Sequence, residues 1–114
     1  MVQLGYFTLD TLDIEKAKAF YGSLFGWTFD GDASNPAYAH VAGSEPPFGL
    51  TKVERAKDFT HLYFRVDDVA AMCARVAELG GKAAVPSHSA TGQSAVVCDD
   101  QGVSFSLWQP AAGY

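Results

Sequence analysis

The chain has 114 residues, of which 48% are hydrophobic and 18% are charged, a composition typical of one globular domain and not of a disordered segment. No apolar stretch approaches the roughly 20 residues of a membrane span, and the first residues lack the basic start and apolar core of a signal peptide. The net charge of −5 disfavours nucleic acid and anionic membranes, because both are bound through clustered Lys and Arg side chains. We therefore expect one soluble, cytoplasmic domain over residues 1–114.

The two cysteines, Cys73 and Cys98, are too few for a disulfide scaffold and lack the spacing of a metal site. Both lie in apolar stretches, which predicts two buried free thiols.

The first half begins with an alternating strand over residues 4–11. Asp13 suits the N-cap of a helix, and Gly26 suits the left-handed position that ends it. The apolar residues between them recur at helical spacing: Ile14, Ala17, Phe20, Tyr21 and Leu24. Short strands are predicted over 27–29, 38–41 and 48–53, with a turn-rich segment over 30–36.

The second half repeats this order. A strand is predicted over 61–66, and either Asp67 or Asp68 caps a helix that ends at Gly80 and Gly81. The apolar stripe of this helix contains Val69, Met72, Cys73, Val76 and Leu79. Strands follow over 82–85, 94–98 and 103–109, with a polar loop over 86–92 and a tight turn over 99–102.

Three landmarks indicate an internal duplication. Tyr6 precedes His61 by 55 residues, Gly26 precedes Gly80 by 54, and Phe48 precedes Phe105 by 57. The sequence therefore predicts an α+β fold of two βαβββ modules, over residues 3–53 and 60–110, joined by a linker over 54–59.

In each first strand, alternation predicts one face that packs on the helix and a second face that is free of it. The second face is too polar for a core and too aromatic for a plain solvated surface, which favours a ligand cleft lined by both halves. Its predicted members are Tyr6, Thr8, His61, Tyr63, Arg65, Ser104, Ser106 and Trp108.

Short motifs are spread over about residues 4 to 110: Ala17-Lys18-Ala19-Phe20-Tyr21, Leu24-Phe25-Gly26-Trp27, Val66-Asp67-Asp68-Val69, Leu79-Gly80-Gly81, Asp100-Gln101-Gly102 and Phe105-Ser106-Leu107-Trp108-Gln109. Together they resemble the vicinal oxygen chelate superfamily, which includes glyoxalase I, bleomycin-resistance proteins and extradiol dioxygenases. The resemblance implies paired βαβββ modules whose sheets form a ligand cleft, and a homodimer. It says little about activity, because one scaffold serves many chemistries.

The resemblance also implies where metal-dependent members place their ligands. The matching positions here are Tyr6, Gly49, His61 and Ser106, and only His61 is a common ligand of divalent metals. We therefore expect no metal and no other cofactor. A glycine inside a strand, such as Gly49, indicates a bulge or the close approach of a ligand or of backbone.

For several individual side chains, two roles remain possible. His61 is a tentative catalytic residue, because imidazole titrates near neutral pH, or else a hydrogen-bonded strand residue. His40 points to the cleft or to solvent, and His88 is expected in an exposed loop. Arg65 binds a ligand anion or pairs with a neighbouring acid. The predicted ligand-binding residues are Tyr6, Thr8, His40, Tyr63, Arg65, Ser106 and Trp108.

Three functions follow from these residues. The first is a protein that binds a small organic molecule in a metal-free cleft. The second is a lyase or isomerase of glyoxalase type that uses His61 with Tyr6 or Tyr63 as acid and base. The third is an interaction subunit whose aromatic face is buried in a homodimer. For Tyr6, Tyr63 and Trp108, a role in a dimer interface or in core packing has the same weight as an aromatic wall for a ligand.

Overall fold

The order of elements repeats along the computed structural model, which describes residues 4–56 and 62–114. The chain divides into two compact units, Met1–Ala56 and Lys57–Tyr114. The first unit contains β1 (Phe7–Thr11), α1 (Ile14–Phe25), β2 (Phe29–Asn35), β3 (Tyr38–Val41) and β4 (Phe48–Lys52). The second contains β5 (Tyr63–Arg65), α2 (Val69–Glu78), β6 (Lys82–Ala83), β7 (Ser87–Ser89), β8 (Gly92–Cys98) and β9 (Ser104–Pro110). Two helices and two sheets among the described residues confirm the predicted α+β class.

The two sheets share one strand order. The first sheet runs β1-β4-β3-β2, and the second runs β5-β9-β8-β6 with β7 also paired to β8. In each sheet the first and last strands of the unit pair in parallel, and the other pairings are antiparallel. A parallel pair requires a long crossover connection, which in each unit includes the helix. Each last strand therefore lies in the middle of its sheet, beside the strand that opens the unit.

Helix α1 matches the sequence prediction. The predicted N-cap, Asp13, accepts a hydrogen bond from the Lys16 backbone N–H at 3.1 Å, and Gly26 ends the helix at φ 75°. Every residue of the predicted apolar stripe is buried. Because the stripe occupies one side of the helix, its burial anchors α1 through that side alone.

An aromatic cluster stabilises the first unit around Trp27. The Trp27 ring lies 5.3 Å from Tyr21, 5.0 Å from Phe25 and 4.8 Å from Phe48, measured between ring centroids. These contacts connect α1 to β4, and aromatic pairs in such geometries contribute beyond the apolar area that they bury. Trp27 and Phe48 are therefore packing residues of this unit.

Helix α2 begins at the second of its two candidate caps. Asp68 accepts a hydrogen bond from the Ala71 N–H at 3.0 Å, and the side-chain oxygen of Gln109 on β9 accepts from the Val69 N–H at 2.9 Å. Of the predicted stripe, Val69 and Val76 are buried, whereas Met72, Cys73 and Leu79 are half-buried. The Gln109 contact ties the start of α2 to the central strand of its sheet.

Two segments predicted as turns and loops are strands. Residues 30–36 were expected to turn, but most of them belong to β2, which pairs with β3 across an irregular register between Asp30 and Asn35. Within the predicted loop 86–92, β7 pairs with β8. Asp, Asn, Ser and Gly disfavour strands locally, so the prediction failed where hydrogen bonding to a neighbouring strand outweighs that preference.

Both cysteines are free, as predicted, but they are half-buried and not buried. Burial raises the pKa of the Cys73 thiol, because the thiolate is poorly solvated there. Among the described residues, no helix is both long and apolar enough to cross a membrane.

Candidate functional site

Alternation in the opening strands places the predicted residues as expected. Leu9 and Thr11 of β1 are buried, whereas Thr8 is exposed and Tyr6, just before the strand, is 46% exposed. In β5, Tyr63 is 55% exposed and Arg65 is also exposed. Thr8 pairs with Gly49, and Tyr63 pairs with Ser106. The helix-free face of each sheet therefore carries the predicted candidates, although His61 lies outside the described residues.

In the first unit, three side chains form a hydrogen-bonded chain. The Tyr6 and Tyr38 hydroxyls are hydrogen-bonded to each other, and the Tyr38 hydroxyl lies 2.9 Å from Nδ1 of His40. The Tyr6 and His40 rings are nearly parallel, with an interplanar angle of 12° and centroids 6.4 Å apart. The predicted residues Tyr6 and His40 are thus brought together, and Tyr38 is the residue that connects them.

The ring of Tyr38 also covers Gly49. A Cβ atom at Gly49 would stand only 2.5 Å from Cε1 and Cζ of Tyr38, well inside van der Waals contact. Gly49 pairs with His40 on one side and with Thr8 on the other. The close approach predicted at this glycine is therefore that of a side chain.

At three of the four positions where the resemblance implies metal ligands, the residues Tyr6, Gly49 and Ser106 do not fit a divalent metal. The fourth residue, His61, is a common metal ligand and lies outside the described residues. Gly49 has no side chain, and the Tyr38 ring occupies the space where one would begin. Ser106 carries a neutral hydroxyl, and the Tyr6 hydroxyl is engaged by Tyr38. Within residues 4–56 and 62–114, no three His, Cys, Asp or Glu side chains are grouped as metal ligands would be. Tyr6, Gly49 and Ser106 therefore lack the carboxylates and imidazoles that such metals favour.

In the second unit, a cavity opens beside Trp108 and Tyr63. Its volume is about 420 Å³, and its other lining residues are small: Ser89, Thr91, Gly92 and Ser94. Trp108 on β9 pairs with Arg65 on one side and with Ser94 on the other. The cavity therefore lies on the sheet face that the sequence predicted for ligand binding.

Two contacts hold the polar groups around this cavity. The Trp108 indole N–H donates to the Thr91 carbonyl oxygen at 3.3 Å, and the Arg65 guanidinium lies 6.0 Å from the centroid of the Trp108 ring. In the part of the chain that the structure describes, no Asp or Glu forms an ion pair with Arg65. Arg65 thus forms a cation–π contact with Trp108. The neighbouring acid that the sequence offered as an alternative partner is not found among the described residues.

The remaining candidates lie apart from this cavity lining. Ser106 is only 2% exposed, in contrast to its register partner Tyr63. Ser104 is buried as well, so these two serines of β9 are not open to solvent on the face that alternation predicts. His88 lies exposed in β7. The ligand-binding roles of Thr8, His40 and Ser106 stay predictions.

A larger cavity in the first unit contains none of the predicted site residues. It measures about 570 Å³ and lies beside the start of α1, the β2–β3 hairpin and Lys52. Its charged lining residues are exposed or paired, as in the 3.3 Å ion pair between Lys18 and Glu15. It offers no aromatic surface to a ligand.

The residues that sequence reasoning did not select are Tyr38 in the first unit and Thr91 and Ser94 in the second. Tyr38 had a visible signal, since it stands two residues before His40 on one strand and therefore shares its face. Thr91 and Ser94 had none, because Ser94 meets Trp108 only through the pairing of β8 with β9, and Thr91 meets it only through the hydrogen bond to its carbonyl oxygen.

Comparison with known proteins identifies related folds. The family model described as a glyoxalase-like domain matches residues 6–108. The mycobacterial protein CFP32, from Mycobacterium bovis and Mycobacterium tuberculosis, carries a provisional glyoxylase name and is 30% identical over 89% of this chain. The chain spans only 43% of that relative.

Two solved structures cover nearly the whole chain. A glyoxalase/bleomycin resistance protein/dioxygenase family enzyme from Burkholderia phytofirmans matches with a TM-score of 0.78 and 19% identity, over 96% of this chain and 100% of its own. TnmS3, an antibiotic binding protein from a Streptomyces species, matches with a TM-score of 0.69 and 27% identity, over 97% and 98% of the two chains. The first likeness shows the fold alone.

Proposed function

Because the chain belongs to the glyoxalase-like domain family, within the vicinal oxygen chelate superfamily, we propose that it binds a small organic molecule without using the family's metal site. The observation that carries this proposal is the cavity beside Tyr63 and Trp108. Ligand sites combine an apolar or aromatic surface with a few convergent polar groups, and this cavity has both.

The dimensions and chemistry of the cavity support binding. A volume of about 420 Å³ falls within the range of roughly 300–1,000 Å³ that is usual for small-molecule sites. Trp108 and Tyr63 offer large contact areas at a low cost in conformational entropy. The hydroxyls of Ser89, Thr91 and Ser94 line the same cavity and give it hydrogen-bonding capacity. The prediction that both units contribute to one cleft stays a prediction.

A relative supports the same function. TnmS3 is described as an antibiotic binding protein, and it is 27% identical to this chain over nearly the whole length of both proteins. The poor fit of Tyr6, Gly49 and Ser106 to a divalent metal agrees with binding as the activity. We extend the function class from TnmS3 to this chain, and not its antibiotic.

A second candidate is supported by the Tyr6–Tyr38–His40 chain. Linked hydroxyls and an imidazole can pass a proton, which is what a lyase or isomerase of glyoxalase type would require of an acid and base. The provisional glyoxylase name of CFP32 points the same way. His61→Ala and Tyr6→Phe should then abolish turnover of a glyoxalase-type substrate while the fold remains intact, whereas a binding protein shows saturable binding without turnover.

A homodimer and a cytoplasmic location belong to the same proposal. Light scattering after size-exclusion chromatography gives the assembly state directly. If Trp108 serves an interface and not a ligand, Trp108→Ala should convert the dimer to monomers and no small molecule should bind.

The test of the proposed function is thermal unfolding of the metal-stripped protein. The scan is repeated with Zn²⁺, Ni²⁺, Mn²⁺ or Fe²⁺, and then with a panel of aromatic compounds. A ligand at 100 times its Kd stabilises the folded state by about 2.7 kcal/mol, which is readily visible as a higher Tm. We expect a compound-specific rise that Trp108→Ala removes and that Tyr114→Ala, at an exposed aromatic in the same unit, retains. A metal-specific rise that disappears in His61→Ala would overturn the proposal.

A further inference from the structure

The positive charge of Arg65 bears on the class of ligand that the second unit takes. Arg65 and Tyr63 lie on the same face of β5, and Arg65 pairs with Trp108 of β9. Its guanidinium carbon lies 6.0 Å from the Trp108 ring centroid. Among residues 4–56 and 62–114, no carboxylate neutralises it, although acidic residues outnumber basic ones, 13 to 8, in the whole sequence.

An exposed guanidinium on a tryptophan ring is well prepared to bind an anion. Its planar donors match a carboxylate in a bidentate geometry, and such charge-assisted bonds are about twice as strong as neutral ones. A chain of net charge −5 repels anions in general. Arg65 does not line the cavity itself but lies against the Trp108 ring that does. Binding of an anion here would therefore depend on this one side chain together with the neighbouring cavity.

The cavity selects for a flat shape. The hydrogen bond from the Trp108 indole N–H to the Thr91 carbonyl holds the ring in one orientation. Tyr63 provides a second aromatic surface. Flat rings can stack on the Trp108 indole while an attached charged group reaches Arg65.

We propose that the ligand of this cavity is a planar aromatic carboxylate, which stacks on Trp108 and pairs with the Arg65 guanidinium. This inference rests on the proposed function and narrows it to one chemical class. Arg65 is the residue that determines the charge of the ligand, and Trp108 is the residue that determines its shape.

The test compares 1-naphthoate with its neutral isostere 1-naphthamide. Binding is followed by NMR through the indole N–H signals of Trp108 and Trp27, assigned with Trp108→Phe. We expect naphthoate to shift the Trp108 signal and to bind at least about tenfold more tightly than naphthamide, which corresponds to about 1.4 kcal/mol. Added salt should weaken naphthoate binding and leave naphthamide binding unchanged.

Substitutions at Arg65 complete the test. Arg65→Gln should weaken naphthoate binding about tenfold without affecting naphthamide, and Arg65→Lys should retain part of the affinity, because charge remains but the planar donors do not. Arg75→Gln is the matched control: it removes the same charge from α2, where Arg75 pairs with Glu78 at 3.1 Å, and should leave binding unchanged. Dispersed amide signals verify that each variant is folded.

The possible outcomes distinguish this inference from the proposed function on which it rests. Equal affinity for the two compounds, or an unchanged naphthoate Kd in Arg65→Gln, would refute the proposal that the ligand is anionic. The proposed binding function would still hold. If neither compound nor any member of the aromatic panel shifts the indole N–H signal of Trp108, the inference and the proposed function fail together.

Discussion

The Tyr38 ring lies over the backbone of Gly49, in the space that a side chain at this position would require. Gly49 is buried in β4, between β1 and β3, where a glycine normally weakens a strand because it packs poorly. Here the missing side chain is replaced by a tyrosine from the neighbouring strand. The same tyrosine hydrogen-bonds to Tyr6 and His40, so one close contact organises the polar face of the first unit.

Gly49→Ala should therefore destabilise the protein, because its methyl group would collide with the Tyr38 ring. We expect a loss of about 1–3 kcal/mol in the free energy of unfolding, measured by urea denaturation. Gly31→Ala, in β2 of the same sheet, is the control, since nothing lies within 4 Å of its added Cβ. Combining Gly49→Ala with Tyr38→Ala should cost less than the sum of the two single losses. Additive losses would show that the ring is not the obstacle.

Tyr38→Phe should separate the hydroxyl's role from the ring's. The ring would still cover Gly49, but Tyr6 and His40 would lose their common hydrogen-bond partner. We expect about 0.5–1.5 kcal/mol of destabilisation and a change in the ¹⁵N shift of His40 Nδ1. Tyr63→Phe, at an exposed tyrosine of the other unit, should leave the His40 shift unchanged. An unaltered Nδ1 signal in Tyr38→Phe would refute the hydrogen bond.

The two helix caps should be equivalent in strength. Asp13 and Asp68 each accept a backbone N–H from the residue three positions later, at 3.1 and 3.0 Å. Substituting either by Ala should cost about 1 kcal/mol in urea unfolding, whereas Asn should preserve most of the stability. Asp67→Ala is the control, because the Ala71 N–H is bonded to Asp68. A loss at Asp67 equal to that at Asp68 would contradict the cap assignment.

The Cys73 thiol should react more slowly than an unhindered thiol. Its pKa is raised by burial, so the reactive thiolate is scarcer at a given pH. In a Cys98→Ser background, the alkylation rate of Cys73 by iodoacetamide should rise with pH around a midpoint above that of glutathione. Unfolding in urea should accelerate alkylation in mildly alkaline buffer. A midpoint at or below that of glutathione would contradict the burial effect.

Local signals predicted much of the fold. The stripe of α1, its cap at Asp13 and its end at Gly26 were all confirmed, because helix periodicity and end chemistry depend on residues within a few positions. Strand β3 has the predicted bounds. The predictions for β2 and β7 were wrong because their Asp, Asn, Gly and Ser residues favour turns locally, and pairing with another strand outweighs that preference.

Alternation along single strands predicted part of the candidate site. Tyr63 and Arg65 were assigned to one face from alternation alone, and both are exposed there. The register pairs Ser106 with Tyr63, as alternation predicts, but alternation could not predict that Ser104 and Ser106 are buried. Tyr38 stood near His40 in the prediction, but its position over Gly49 depends on the register between β3 and β4.

The sequence by itself determined the repeat of elements, the cap at Asp13, the superfamily and the lack of common metal-ligand types at Gly49 and Ser106. These follow from residue identity and short-range spacing. Only the tertiary structure decided that Tyr38 covers Gly49 and that Thr91 and Ser94 join Trp108 in one cavity. Such contacts join residues on different strands, and strand register is set by the packing and hydrogen bonding of the whole sheet, which no local pattern encodes.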